Sequence, residues 1–464
     1  MRRPTRIALA AGILASAASP PAPAETLDPT LGPHLAEAPL PVERKAYDPL
    51  WGMDSNGRIP VIQRPGGLSH PERWRYLPEG RLKPGNVLQR FLVSSFIAPY
   101  AFRSSELGTG FGLAITDLDF RQQRRREFAA LLLSYTTEGQ QEYRIKWRRW
   151  LHHMDLPEGG ILREERSFLE SEVGFSRTLT LRFFGLGSDT DADDETSYTD
   201  RTFYGDLGLS RTLPHPGSNW VLQFGARGES HDLSGGRVED RPVTGDVYPD
   251  LFAAAEHHDM GWLRAGLRYD TRDSTQNPYQ GWHVGGLAEW VPLQSGGDRG
   301  TRYTLSAGHV FRTRPIFHDG GDAMEENPPT DTLAVGFWNQ YTSGKLPFFA
   351  LPTLGGLDQH RGFIGGRFRG ASSWLGALEF RFWVLPRGLA FTRSIRIERI
   401  GIALFYEAGA VSDRTSPTRL FGERVRHSYG ASLRVSFDRS NPLRFDFGFS
   451  EDGMEFSLAY GLSF

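Results

Sequence analysis

The chain has no cysteine among its 464 residues. That excludes a disulfide-stapled scaffold and any thiolate chemistry, and it suits a polypeptide that crosses an oxidising compartment unfolded. It has no excess of either charge: 53 Lys and Arg face 55 Asp and Glu, a formal balance of −2. Nucleic acid therefore finds no electrostatic footing on it. Beyond the N-terminus no stretch reaches the roughly 18–20 apolar residues that a membrane helix needs. Enzyme signatures are absent as well: there is no Gly-x-Ser-x-Gly elbow, no His-Glu-x-x-His and no phosphate loop. Gly108-x-Gly-x-Gly112 opens a strand pattern, not a helix. His152-His153 and His257-His258 are strand neighbours that point to opposite faces, so neither pair makes good joint metal ligands. No catalytic residue, metal or cofactor is expected.

What the chain does have is glycine (53), phenylalanine (31), tyrosine (15) and tryptophan (11), arranged with a period of two. The last nine residues show it best. Phe456, Leu458, Tyr460, Leu462 and Phe464 alternate with Ser457, Ala459, Gly461 and Ser463. A strand turns successive side chains to opposite faces, so one face is oily and the other small and weakly polar. The same alternation recurs in segments 96–106, 109–119, 126–137, 140–153, 164–176, 198–211, 219–231, 259–271, 281–292, 301–313, 331–342, 371–385, 396–411, 426–438, 442–450 and 454–464. Residues 177–184 are expected in a loop or as an additional strand. Charges keep to one parity: Glu379 and Arg381, Glu407, Arg434, and Arg444 and Asp446 oppose Leu378, Phe380, Leu404, Tyr406, Leu433, Phe445 and Phe447. A two-sheet soluble sandwich would also put its charges on a wet face. About sixteen strands and the terminal aromatic favour a transmembrane antiparallel β-barrel, greasy outside and ionic inside.

Arg2, Arg3 and Arg6 precede an apolar run, and Ala22-Pro-Ala24 offers a small-residue cleavage site. Residues 1–24 are read as a secretory signal peptide. Residues 25–95 are read as a proline-rich periplasmic segment without sustained period, with a short helix near Asn86–Ser95, and residues 96–464 as the barrel. If the first strand leaves the periplasm, the longest extracellular loops are 232–258 and 343–370, and Arg124-Arg-Arg126 sits in a solvated periplasmic turn. The acidic run Asp189, Asp191, Asp193, Asp194 and Glu195 is read as a solvated external loop in preference to a weak calcium site.

Loop 343–370 contains Leu354-Gly-Gly356, Arg361-Gly362-Phe363, Gly365-Gly366 and Gly370, and five strands follow it. Here the chain resembles the superfamily of outer-membrane assembly and secretion barrels that includes BamA, TamA, FhaC and the bacterial surface antigens. That family carries Arg-Gly-Phe/Tyr at the tip of an inward-folded sixth extracellular loop. Tyr269-Asp-Thr-Arg-Asp273, Phe184-Gly-Leu-Gly187, Leu378-Glu379-Phe380 and Tyr406-Glu407-Ala408-Gly409 resemble its other motifs, with Glu407 where Asp is common. Gly461 resembles a last-strand glycine. The resemblance covers about residues 96–464. Unlike most members, the chain leaves no room between Glu25 and the first strand for a complete POTRA domain.

Two sets of residues follow. Arg361 would be costly unpaired in a crowded lumen, and Glu379 and Glu407 share the lumen parity, so a forked guanidinium can latch the loop. Gly362 is expected to permit a sharp turn and Phe363 to stack on the wall, with Gly409 beside them. The alternative is three unrelated lumen charges. At the seam of first and last strands, Pro99 cannot donate to a ladder and Gly461 weakens the closing strand that ends at Phe464. The resemblance implies that this seam opens sideways; the alternative is ordinary closure. The expected location is the bacterial outer membrane. The expected partners are outer-membrane lipid and lipopolysaccharide, with an unfolded or secreted protein as substrate, for a monomeric barrel. The expected function is insertion or translocation of protein or lipid; a passive diffusion pore or structural barrel is the alternative.

Overall fold

The computed structural model describes residues 65–77, 86, 96–104, 108–117, 126–137, 139–156, 160–321, 325, 328–390, 396–415, 419–436 and 442–460. The signal peptide, most of the segment 25–95 with its expected helix, Arg124 and Arg125, and Gly461 and Phe464 lie outside these residues.

One antiparallel sheet of sixteen strands dominates, each strand paired with its neighbours in chain order. The strands are β1 (Phe96–Ser104), β2 (Gly108–Asp117), β3 (Glu127–Thr136), β4 (Gln141–Trp150), β5 (Phe168–Phe183), β6 (Thr196–Leu213), β7 (Trp220–Gly235) and β8 (His257–Asp270), then β9 (Gly281–Gln294), β10 (Gly300–Arg312), β11 (Thr332–Gly344), β12 (Ser372–Leu385), β13 (Arg399–Ser412), β14 (Arg426–Ser436), β15 (Pro442–Ser450) and β16 (Gly453–Tyr460). Hairpin connection in sequence order with alternation along every strand is the arrangement of an up-and-down barrel. Ile145, Phe203, Leu404 and Tyr429 stand exposed on one face. Glu379, Glu407, Arg444 and Asp446, at the other parity, are buried. In water such exposure of large apolar groups would be a liability; against lipid it is the required outer surface.

One sequence expectation is corrected. Residues 177–183 are neither loop nor an additional strand but the continuation of β5, whose ladder to β6 shifts register between Thr178 and Leu181. The N-terminal segment contributes one short strand. Trp74–Leu77 pairs with Ile161–Glu164, which also pairs with His153–Asp155, in a separate three-stranded sheet. This is why the alternation begun at 164 belongs to two elements, with β5 itself starting at Phe168. The small sheet sits at the end where the turns after β4, β6 and β8 lie. Arg73 Nη1 donates to the Gly217 carbonyl (2.6 Å), and Arg166 reaches the carbonyls of Asp270 (2.7 Å) and Arg272 (2.5 Å). At the opposite end, the β7–β8 loop carries short helices at Thr244–Val247 and Pro249–Ala253. Phe252 there joins Phe183, Tyr198, Leu233 and Phe348 in one apolar cluster over the base of the loop between β11 and β12.

Candidate functional site

The loop between β11 and β12 folds back against the inward faces of β12 to β15. Its stem is a two-residue ladder, Thr353–Leu354 with Phe368–Arg369. Its tip is tightened by the Phe363 amide donating to the His360 carbonyl (3.0 Å) and the Gly356 amide donating to the Phe363 carbonyl (3.0 Å). Leu354, Phe363 and Phe368 pack with Leu375 of β12 and Val411 of β13. Burying a side chain the size of Phe363 contributes about 1.5–3 kcal/mol.

Arg361 lies at the centre of the tip and is fully buried. Its Nε donates to Glu407 Oε1 (2.9 Å), its Nη1 to Glu379 Oε2 (2.7 Å), and its backbone amide to Glu407 Oε2 (2.6 Å). Asp446 of β15 stands 3.9 Å from Nη1. The guanidinium carbon is 3.6 Å from the ring centroid of Phe405, an inward residue of β13. Burial works against the charge of Arg361, but the surrounding carboxylates, Glu379 foremost, outweigh it and raise its pKa above the ordinary value. Glu379 also accepts from Arg381 Nε (2.6 Å) and from Arg434. Arg444 donates to Asp358 Oδ1 (2.6 Å) and to the Leu357 carbonyl (3.1 Å) at the far side of the tip.

The structure thus brings Arg361, Glu379, Glu407 and Phe363 together. Gly362 lies inside the turn that the Phe363 amide closes on the His360 carbonyl. The left-handed residue at the tip is His360 (φ 61°), while Gly362 allows close approach: a Cβ there would lie 2.6 Å from the Phe449 carbonyl and 2.7 Å from Ser428 Cβ. Gly448 of β15 plays the matching part, since its Cβ would fall 2.3 Å from the Arg361 carbonyl. Above Gly409 sits Leu354 of the stem, 2.9 Å from a Cβ placed there, so Gly409 seats the loop's stem and not its arginine. Pro99 lies in β1, opposite Leu113 of β2.

Sequence reasoning missed several residues. His360 is fully buried; its Nε2–H donates to the Arg426 carbonyl (3.1 Å), and Ser428 Oγ is 2.9 Å from Nδ1. Burial, helped by His427 and Arg426, pushes its pKa down to about 3. A second clamp lies nearer the loop's stem. Arg367 donates to Asp452 Oδ2 (2.5 Å) in the β15–β16 turn, and to Thr190 Oγ1 (2.9 Å) and the Thr190 carbonyl (3.0 Å) in the β5–β6 loop. The Gly187 amide of Phe184-Gly-Leu-Gly187 donates to the Arg369 carbonyl (2.8 Å), so that motif meets the same loop. In the acidic run, Glu195 pairs with Arg182 (2.7 Å) and Arg241 (2.9 Å), and Asp191 caps the 3-10 turn Ala192–Asp194.

Residues 162–464 match the Omp85 superfamily domain, and the chain belongs to that superfamily. No curated protein matches it. Among solved structures it is similar to BamA from Haemophilus ducreyi lacking POTRA domains 1–3, at 15% identity and TM-score 0.47, covering 79% of this chain and 69% of that one. It is similar to CdiB from Escherichia coli at 11% identity and TM-score 0.49, covering 83% and 65%. It is similar to CdiB from Acinetobacter baumannii at 13% identity and TM-score 0.43, covering 88% and 73%. The chain therefore spans about two thirds of the length of the E. coli protein.

Proposed function

We propose that this Omp85-superfamily barrel inserts or translocates polypeptide at the bacterial outer membrane, with the β11–β12 loop as an internal latch and the β1/β16 junction as the seam through which substrate strands add. The observation that carries the reading is the buried Arg361 on Glu379 and Glu407. A cation so placed is an unfavourable way to gain mere stability, because desolvation consumes most of the Coulombic gain. It does fix one position of a loop that could otherwise take many. In this reading the seam is weak because Pro99 of β1 donates nothing to a ladder. An incoming strand would pair with the exposed edge by β-augmentation. No nucleotide chemistry is required, since the folding free energy of the substrate supplies direction. Residues 1–24 would serve as export signal and residues 25–95 as the periplasmic approach to β1. The chain acts as a conduit or scaffold, not as an enzyme, with outer-membrane lipid and unfolded protein as partners.

A passive pore has one observation in its favour. Arg144, Lys146 and Glu172 on the inward faces of β4 and β5 keep side-chain exposures of 40%, 36% and 21%, so that side of the lumen is wet. Reconstitution separates the two readings. Vesicles carrying the protein should fold an added urea-unfolded outer-membrane barrel several-fold faster than empty vesicles. Equal rates would eliminate insertion and leave the pore.

A further inference from the structure

The turn between β10 and β11, at the end of the wall that becomes periplasmic if β1 leaves from the periplasm, holds two large apolar side chains out from the protein. Ile316 is 51% exposed and Phe317 62%. A slack turn would fold them in; here a buried polar bracket prevents it. Asp331 Oδ2 accepts from the Ile316 amide (2.9 Å), and Asp331 Oδ1 accepts from His318 Nε2 (2.9 Å) and from the Trp383 amide (2.9 Å). His318 Nδ1 accepts from the Gly320 amide (3.0 Å), which fixes the tautomer with its proton on Nε2. The side chains of His318 and Asp331 are fully buried. Arg387 adds bonds to Asp319 (3.0 Å) and Glu325 (2.7 Å). Hydrogen bonds of this number in a buried site make the projection of Ile316 and Phe317 a fixed feature of the turn.

The two side chains do not stand alone. The Phe317 ring is 5.8 Å from that of Phe382, which lies at the lipid-facing parity of β12 and is itself 5.7 Å from Phe380. Neighbouring strands carry aromatics at the same end: Trp220 on Tyr269 (5.1 Å), and Trp282 on His309 (4.0 Å), which contacts Phe311 (4.0 Å). Such rings belong at the boundary of acyl chains and headgroups. Arg312 and Arg314 precede Ile316 and Phe317 and are exposed.

We propose that Ile316 and Phe317 form a membrane wedge, a turn that extends the aromatic girdle and inserts into the headgroup–acyl boundary of the periplasmic leaflet, whose partner is glycerophospholipid. The wedge fixes the height of this wall in the bilayer, away from the β1/β16 junction. It depends only on the barrel and not on what the barrel transports.

The absence of native cysteine allows a direct test. Nitroxide labels at Ile316→Cys and Phe317→Cys, in the full chain reconstituted into phosphatidylethanolamine–phosphatidylglycerol vesicles, are compared with labels at Leu378→Cys on the lipid face and Asp319→Cys on the turn's polar side. The wedge predicts a ratio of oxygen to aqueous nickel-chelate collisions several-fold above that at Asp319 and close to that at Leu378. A ratio equal to that at Asp319 overturns it. Low collision rates with both reagents would mean a protein covers the turn, which also overturns it. The Ile316 label leaves Phe317 intact, so loss of the aromatic ring cannot account for a negative result.

Discussion

Arg361 has its charge answered by residues from three different strands: Glu379 of β12, Glu407 of β13 and, at longer range, Asp446 of β15. Removing it leaves Glu407 with Ser428 Oγ at 3.2 Å as its remaining side-chain partner, while Glu379 keeps Arg381 and Arg434. Arg361→Ala should therefore destabilise the barrel by about 3–5 kcal/mol, the usual cost of breaking a buried pair, read from urea unfolding in vesicles. Arg361→Lys should recover only part of this, because an ammonium cannot fork onto two carboxylates. His360 adds a pH dependence. Its folded pKa, about 3, lies below its ordinary value of 6.5, so the unfolded chain binds the extra proton in between. Loop seating should be insensitive to pH above 6.5 and weaken progressively as pH falls from 6.5 towards 3. His360→Asn should lose less melting temperature than the native chain between pH 7.5 and 5; an equal loss would place the sensitivity elsewhere. The arginine and its acids were legible because the resemblance to the outer-membrane assembly barrels singled out Arg361-Gly362-Phe363, and strand parity then put Glu379 and Glu407 on one face. His360 was not, because its left-handed backbone and its bond to the Arg426 carbonyl depend on the path of the loop.

At the scale of elements, strands were readable wherever the alternation ran unbroken, and were lost where it was interrupted. Segment 177–183 was separated from β5 because the register shift near Thr178 breaks the period. Trp74–Leu77 is too short to show a period and gains its strand conformation from a partner remote in sequence, Ile161–Glu164. The glycines of β15 and of the loop were visible as residues, but the need for them arises from how closely two backbones approach. Gly448→Val should push the tip off the wall, costing about 1–3 kcal/mol as overpacking does, and should expose the loop to protease in intact vesicles. Protection equal to that of the native chain would show that the tip does not rest there. The Arg367 clamp joins three elements, the β5–β6 loop, the β11–β12 loop and the β15–β16 hairpin. Arg367→Ala should raise hydrogen exchange in Gly453–Tyr460 more than in β8 or β9; a uniform change would mean that the clamp only adds global stability.

The whole molecule divides along its lumen. The side formed by β12 to β15 is filled by the β11–β12 loop and its buried ions, whereas the side around β4 and β5 is lined by half-exposed charges. That division follows from the sequence only once the loop is known to turn inward, for which Arg361-Gly362-Phe363 was the signal. Between the tip and the last strand lies a cavity of about 590 Å³ lined by Asp358, Arg361, Phe363, Glu455 and Ser457 among others. Two cysteines placed on its opposite sides, Asp358→Cys on the loop and Ser457→Cys on β16, would be the only thiols in the chain. With a short bifunctional thiol reagent in vesicles, the seated loop predicts near-complete intramolecular crosslinking, reduced when Arg361→Ala is added. Failure to crosslink, with each thiol still reacting singly with a small reagent, would contradict a loop held in the lumen by Arg361.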